Sequence, residues 1–509
     1  MVNYLVQKEI KKQEKKSIYA FSEAYPLKEP HAYAAITKDE ETKGPKYLII
    51  EPTLSDMEIN ALIKIREIMY QVLDANLNEL ESREKAEEYL KDKINRIVKA
   101  YKMELTPEVV DKIEYYLLRD LIYYGKIDAL MHDHMIEDIS CDGPGIPIYI
   151  WHRQRESIPT NITFEEDELD AFIVRLAYLA GKHISIASPM QDASLPDGSR
   201  IQLTYSKEVT KKGSTFTIRR FRADPLTVTD LMDFKTMNSE IAAWFWIAIE
   251  KKTNMIIGGG TASGKTTTLN ALSTFIPPDN KIITIEDTAE LNLPHQNWIA
   301  SLARIGFGPG GGSAEISLFD LLKSAMRQRP DYVIVGEVRG TEAYTLFQAM
   351  ATGHGGLSSI HCDSAMAALN RLGSAPMDIP QTLLPTLNVI AMQKRVSIEN
   401  VTVRKLTNVV EVVGIDPVSK EILTNEVFRW DPLKDNFEYS GRSTVLDKIM
   451  EDQGIKEKEM KEEVDRRKLV LDWMGNNKIR RYDEVGAVIR EYYSNPEKLA
   501  NKAKLGLSV

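Results

Sequence analysis

The chain has 509 residues, too many for one hydrophobic core, so two or three domains are expected. Its apolar fraction of 43% and charged fraction of 27% are those of a globular protein, and a net charge of −9 disfavours a surface given over to nucleic acid. Only Cys141 and Cys362 are present, which excludes a disulfide framework and a C-x-x-C zinc site and suits a reducing cytosol.

The opening stretch, Met1 to Lys16, carries Lys8, Lys11, Lys12, Lys15 and Lys16 against Glu9 and Glu14. It reads either as a basic arm touching a membrane face or partner, or as a solvated terminus. It lacks the charged-then-apolar pattern of a signal peptide, so any membrane association is expected to be peripheral or through a partner. From Asp56 to about Asp133 the apolar residues Met57, Ile59, Leu62, Ile63, Ile65 and Ile68, then a block from Thr106 to Leu130, recur with helical period. Thr106-Pro107 supplies a cap and a first-turn proline. The expectation is a helical module over 1–135.

The texture changes near Cys141. Ile148 to Trp151 reads as a strand, and Thr163-Phe164-Glu165-Glu166 as a capping box opening a helix that runs to Leu179 and stops at Gly181. Alternating strands follow at Ile201–Tyr205 and Ser214–Arg220. This pattern predicts an α+β domain over 136–224, with a linker near Asp224-Pro225.

From about Leu226 to Asp416 strands and helices alternate, as in a mostly parallel sheet. The apolar run Ile241–Ile249 is about half the ~20 residues needed to cross a bilayer. Next, Asn254-Met255-Ile256-Ile257 reads as a buried strand, and Gly259 to Thr266 matches G-x-x-x-x-G-K-[ST]. The residues Gly259, Gly260, Thr261, Ala262, Ser263, Gly264, Lys265, Thr266 and Thr267 are expected to wrap phosphates. Glycine permits close backbone approach and positive φ, and the helix that follows directs its N–H groups at the anion. Lys265 would reach the β- and γ-phosphates, and the Thr266 hydroxyl would hold Mg²⁺. The strand-loop-helix context marks a nucleoside triphosphate site.

Further strands are predicted at Ile282–Ile285, Tyr332–Val335 and Leu357–Ile360, with an antiparallel tail that includes Val409–Val413 and Val427–Trp430. Glu286 and Asp287 close the first of these, where ligands bind in open α/β sheets. Glu337 follows the second, placed to order Mg²⁺ and its waters. Arg339 stands beside it, either for phosphate or for an ion pair. His354 and His361 bracket the third strand, either as hydrogen-bond donors to γ-phosphate or as structural residues. Gly306 to Gly312 is expected to be mobile, and Ser317 to cap the next helix. After Ser443 the chain turns helical, and the charge run from Lys456 to Lys468 is expected to be mostly a solvated face.

Four strings in order, GGTASGKTTTLNAL, TIEDTAEL, RPDYVIVGEVRG and ATGHGGLSSIHCDS, resemble the secretion/traffic ATPases that power type II secretion, type IV pili and related archaeal surface filaments. The resemblance covers about 190–415 and is poor over the first 140 and last 60 residues. It implies a RecA-like P-loop ATPase core over 225–509 with a C-terminal helical extension, preceded by a PAS-like α+β domain. In its terms Glu286 is the catalytic acid, Glu337 belongs to an atypical Walker B motif, and His354 and His361 form a histidine box. It also implies arginines from the preceding domain: Arg200 and Arg219, with Arg220 and Arg222 as alternates. It further implies ATP and Mg²⁺ as ligands, a homo-hexamer, a polytopic membrane platform protein, and a peripheral cytoplasmic location. The chain lacks the four-cysteine zinc module of bacterial type II members and looks archaeal, nearest the archaellum motor ATPases. A pilus or secretion ATPase is the alternative. A nucleic-acid translocase and a nucleotide-gated scaffold are the readings from other classes.

Overall fold

The computed structural model describes residues 23–39, 43–72, 82–221, 224–304, 316–398 and 401–506. The basic stretch 1–16, Arg222 and the glycine-rich 306–312 lie outside them. The contacts of the chain divide it into two units, Met1–Phe221 and Arg222–Val509.

The first unit opens with an antiparallel meander, β1 (Glu23–Lys28), β2 (Ala32–Lys38) and β3 (Pro45–Ile50). The region 1–135 is therefore not helical throughout. Ala32, Ala34, Ile36, Tyr47 and Ile49 belong to the same core as the later sheet. On β2 the face is built largely from the small Ala32 and Ala34, with Ile36 its one β-branched residue, so that strand carries little of the signal that marks a strand in sequence. Helices α1 (Asp56–Val72), α2 (Arg83–Ala100) and α3 (Pro107–Leu121) do form, around Ile65, Leu90, Ile94, Ile113 and Leu117. Thr106 accepts from the Val109 N–H and Pro107 opens α3 as expected.

After the short α4 (Asp128–Met131), the strands β4 (Ile136–Cys141), β5 (Tyr149–His152), β6 (Glu156–Pro159), β7 (Met190–Ser194), β8 (Arg200–Thr204) and β9 (Thr215–Arg219) form one antiparallel sheet in the order β6-β5-β4-β9-β8-β7. Ile139, Ile150, Ile201, Leu203, Phe216 and Ile218 alternate onto its inner face and meet Leu169, Phe172 and Leu176 of α5 (Glu166–Leu179). The cap of α5 is Glu165, two residues later than the sequence indicated, with Glu168 reaching back to the Glu165 N–H. Thr163 instead offers its carbonyl to Lys126 Nζ, 3.1 Å away.

The second unit begins with α6 (Val228–Asp233) and α7 (Ser239–Glu250), then β10 (Met255–Gly259) and α8 (Lys265–Ser273). Next come β11 (Ile282–Glu286), β12 (Trp298–Leu302), α9 (Leu318–Met326) capped by Ser317, and β13 (Tyr332–Val335). Then follow α10 (Glu342–Ala351), β14 (Gly355–His361), α11 (Ala365–Leu372) and β15 (Val389–Ile398). The sheet order is β12-β11-β13-β14-β10-β15, all parallel. It continues antiparallel through β16 (Val401–Ile415), β17 (Ile422–Asp431) and β18 (Asn436–Tyr439). Both faces of the inner parallel strands β10, β11 and β13 are buried. On β13, Tyr332 and Ile334 enter one cluster while Val333 and Val335 enter the other, which is why such strands read as continuous apolar runs.

Every residue of Ile241–Ile249 is buried within α7, so this run is core. Among the described residues no helix is long and apolar enough to cross a membrane. Helices α12 (Thr444–Gln453), α13 (Glu457–Asn476), α14 (Tyr482–Ser494) and α15 (Pro496–Lys504) complete the unit. Buried Glu411 caps α12, accepting from the Thr444 and Val445 N–H groups at 2.7 and 3.1 Å.

Candidate active site

Strand β10 delivers the phosphate loop at its C-terminal end. Gly258 and Gly259 are required by space there. A Cβ on Gly258 would stand 2.6 Å from Met392 Sδ, and one on Gly259 2.4 Å from the Gln393 carbonyl oxygen. Gly264, at φ +92°, caps α8 in the left-handed region that glycine enters without steric cost. Ala262, at φ +55°, holds the same conformation with a side chain. The Ser263 hydroxyl and the Lys265 ammonium both donate to the Gly260 carbonyl at 2.9 Å, so the lysine folds back across the loop. Burial pulls the Lys265 pKa below the usual lysine range, against the nearby Glu337 charge. Thr261 and Ala262 are exposed, while Thr266 and Thr267 are half-buried in the first turn of α8.

Two acids follow neighbouring strands at the same sheet edge. Glu286 closes β11 and is 3% exposed. Its Oε1 accepts from the Glu290 and Leu291 N–H groups at 2.9 and 3.0 Å. Burial pushes its pKa up to about 8, although the two amides act in the opposite direction. Glu337 lies just past β13. Burial would raise its pKa, but the hydrogen bond and charge of Arg339, with Lys265 and His361 beyond, hold it below the ordinary glutamate range. Arg339 spans Glu337 Oε2 at 2.8 Å and Asp287 Oδ2 at 3.0 Å, so it takes the ion-pair role of the two open to it.

The parallel register sets Gly259 beside His361 of β14 and Gln393 of β15. His361, exposed, is therefore at the loop. His354 is not. It precedes the other end of β14, with Nδ1 3.1 Å from the Thr352 hydroxyl and 3.2 Å from the Ala349 carbonyl. Nearby Asp331 is held below its usual range against burial, chiefly by the Lys281 N–H and Lys252, with His354 a lesser contribution. Seven strand residues at ~3.3 Å each separate the two histidines by about 23 Å. A strand carries side chains seven positions apart to opposite ends, whatever motif encloses both, so they do not share one phosphate.

Residues 125–475 match the family described as Type II/IV secretion system protein. The chain belongs to the type II/IV secretion-system ATPase family. Within it, the uncharacterized protein MJ0900 of Methanocaldococcus jannaschii is 36% identical over 92% of this chain and 88% of its own length. The type IV secretion system protein PtlH of Bordetella pertussis is 33% identical over 48% of this chain and 77% of its own. The solved structure of the Legionella pneumophila ATPase DotB is 18% identical, covering 74% of this chain and 89% of that one, at a TM-score of 0.39.

In this secretion-type ATPase the first unit carries the predicted arginines. Arg200 and Arg219 are direct cross-strand partners on β8 and β9, and their side chains leave the face opposite the core. Arg219 also pairs Asp138 at 3.4 Å. Arg220 points the other way and donates to the Met131 carbonyl at 2.5 Å and to those of Asp133 and Ile136, which makes it a structural residue of its own unit.

Sequence reasoning missed two residues beneath the loop. Gln393 accepts from the Thr268 hydroxyl at 2.6 Å, and Arg404 of β16 donates from Nε to the Ala262 carbonyl at 3.0 Å. No motif marks either; only the strand register brings them there. Among the described residues no cluster of three or more His, Cys, Asp or Glu is arranged to hold a metal. The Thr266 hydroxyl and the Glu337 carboxylate are hard-oxygen groups, of the kind that would suit an ion shared with phosphates.

Proposed function

We propose that the protein is a Mg²⁺-dependent ATPase acting as a homo-hexameric motor at the cytoplasmic face of a membrane. The observation that carries this reading is the phosphate loop set at one sheet edge with Glu286 and Glu337. The loop amides and Lys265 bind the phosphates once Lys265 releases the Gly260 carbonyl. Thr266 and Glu337 would hold Mg²⁺, which when bound would supply neutralising charge for the phosphates.

Glu286 is the base. Two amides hold Oε1, and a pKa near the working pH suits a group that takes a proton from water as that water attacks γ-phosphorus. The bond from γ-phosphorus to the β–γ bridging oxygen breaks, and ADP departs with that oxygen. Arg200 and Arg219 add charge at the γ-phosphate, and its loss on hydrolysis removes their anionic partner. The motor would act through a polytopic membrane platform protein and other cytoplasmic components of an archaellum. Archaeal type IV pilus assembly or type II-like secretion is the second reading, supported by a matched family model that spans type II and type IV secretion proteins.

The test is steady-state ATP turnover of the purified chain beside E286Q and R200A, with Mg²⁺, lipid and DNA varied separately. Mg²⁺-dependent turnover lost in both variants and raised by lipid is expected. Turnover equal in all three proteins would overturn the catalytic assignment, and stimulation by DNA alone would indicate a translocase. Deletion in the source organism separates the two filament readings: lost swimming with pili retained supports the archaellum, and the reverse supports the pilus.

A further inference from the structure

Ala262 is the one residue between Gly259 and Lys265 that holds a positive φ without being glycine. An L-residue there places Cβ against its own carbonyl, so something outside the loop must favour the conformation. Its carbonyl accepts from Arg404 Nε at 3.0 Å, across 142 positions of sequence.

The peptide unit is planar and trans, so fixing that carbonyl also fixes the Ser263 N–H in the opposite direction, away from the β15–β16 hairpin. The same hairpin closes the underside of the loop. A Cβ on Gly264 would meet Gln393 Nε2 at 3.1 Å and Arg404 Cδ at 3.2 Å. Gln393 also anchors Thr268 in the helix that follows. A bulge in the β15–β16 pairing between Met392 and Gln393 turns the strand at this point, a device common beside active sites. Directly across the hairpin from Arg404 stands Arg395, a like charge that makes an ordinary cross-strand pair unfavourable. The guanidinium is held toward the loop.

We propose that Arg404 is a positioning residue for nucleotide binding: it keeps Ala262 left-handed and so keeps the phosphate-loop amides aimed before the nucleotide arrives. This rests on the loop being the ATP site. When Arg404 is lost, Ala262 relaxes, and each binding event must restore the strained conformation. A glycine at 262 carries no such cost and should relieve the defect.

The experiment measures equilibrium binding of a fluorescent ADP analogue and steady-state ATP turnover for wild type, R404A, R404K and R404A/A262G. R404A should weaken binding and raise KM about tenfold, with kcat changed less than threefold. R404K, which keeps the charge, should recover part of this. A262G in the R404A background should restore binding by at least threefold. R404A with binding and KM within twofold of wild type would overturn the proposal, as would a fall in kcat alone or no rescue by A262G. Should R404A fail to fold, R404K and R404K/A262G carry the same comparison: a raised KM that the glycine restores supports the proposal, and an unaltered KM overturns it. A wild type that binds no nucleotide would instead overturn the reading of the site itself.

Discussion

Gly336 faces the Glu286 carboxyl so closely that a Cβ on it would stand 3.2 Å from Glu286 Cγ and 3.6 Å from Oε1. Gly336 has little room to retreat, since its N–H donates to the Ile285 carbonyl at 2.9 Å and its own carbonyl accepts from the Ser359 hydroxyl at 2.7 Å. G336A must therefore push the carboxyl by a few tenths of an ångström, off the two amides that fix Oε1. Misplacing a reacting group by about 1 Å can cost roughly 10²-fold in rate, so a shift of part of that distance is felt. The expected outcome is a kcat lowered about tenfold with ADP affinity unchanged, read by single-turnover kinetics beside equilibrium binding.

The protonation of Glu286 predicts a pH dependence. A base must be ionised to act, so kcat/KM should rise with pH and level off above about 8. Stability should run the other way. The folded pKa of about 8 lies above the ordinary 4.5, so the group favours the folded state fully below pH 4.5 and loses that contribution as pH rises through 8. E286Q removes an ionisation that burial opposes, at about 1.4 kcal/mol per tenfold change in proton affinity. It should therefore be more stable than wild type at pH 8.5 by a few kcal/mol and nearly equal at pH 4.5. Thermal melts at the two pH values check this, and a constant difference would overturn it.

Arg219 and Arg220 are adjacent in sequence, yet the strand sends them to opposite faces. R220A removes donors from the carbonyls of Met131, Asp133 and Ile136. Carbonyls left unsatisfied cost about 1–3 kcal/mol, so R220A should lower the melting temperature of the first unit. R219A loses an ion pair with Asp138 between side chains 60% and 34% exposed, which is worth little to stability. Its expected effect is on turnover, about 10³-fold if it serves as an arginine finger. Melting curves and ATPase rates of both variants separate the roles.

The two histidines make a similar contrast. His361 sits in register with Gly259, and His354 lies near Asp331 at the other end of the strand. H361A should reduce turnover at least tenfold and H354A less than threefold, measured at saturating Mg²⁺ and ATP. Equal losses would mean that His354 acts from a different surface.

The parallel strands Met255–Gly259, Ile282–Glu286 and Tyr332–Val335 were legible because each is apolar on both faces and ends in a glycine or an acid that chemistry explains. The meander at 23–50 was not, because β1 and β2 carry alanines at Ala32, Ala34 and Ala35 and only Ile36 as a buried β-branched residue. Strand β15 begins after a 3-10 turn through Gln381–Thr386 and had no motif to anchor it. Gln393 and Arg404 escaped notice for the same reason, since they serve the loop only through register. For His354 and His361 the motif preserves spacing along the chain, whereas a strand turns seven residues of spacing into distance.

The charge run on α13 hides a buried ion pair. Most of Lys456–Lys468 faces solvent as its composition suggests, but Arg467 is 3% exposed. It pairs with Glu250, the last residue of α7, and with Glu463 at 3.1 Å, and lies over the rings of Trp246 and Tyr492 at 5.3 and 5.4 Å. Its Nε and Nη1 are buried without an acceptor, so the guanidinium is only partly compensated. R467A should leave Glu250 with less of its countercharge and open space beside Trp246, which costs about 3 kcal/mol for a buried pair broken on one side. In a unit of this size that corresponds to roughly 5–10 °C in melting temperature. R467M with E250Q removes both charges while keeping the volume and should recover most of the loss. A double variant no more stable than R467A would mean that the C-terminal helices dock on α7 by packing over Trp246 rather than by charge.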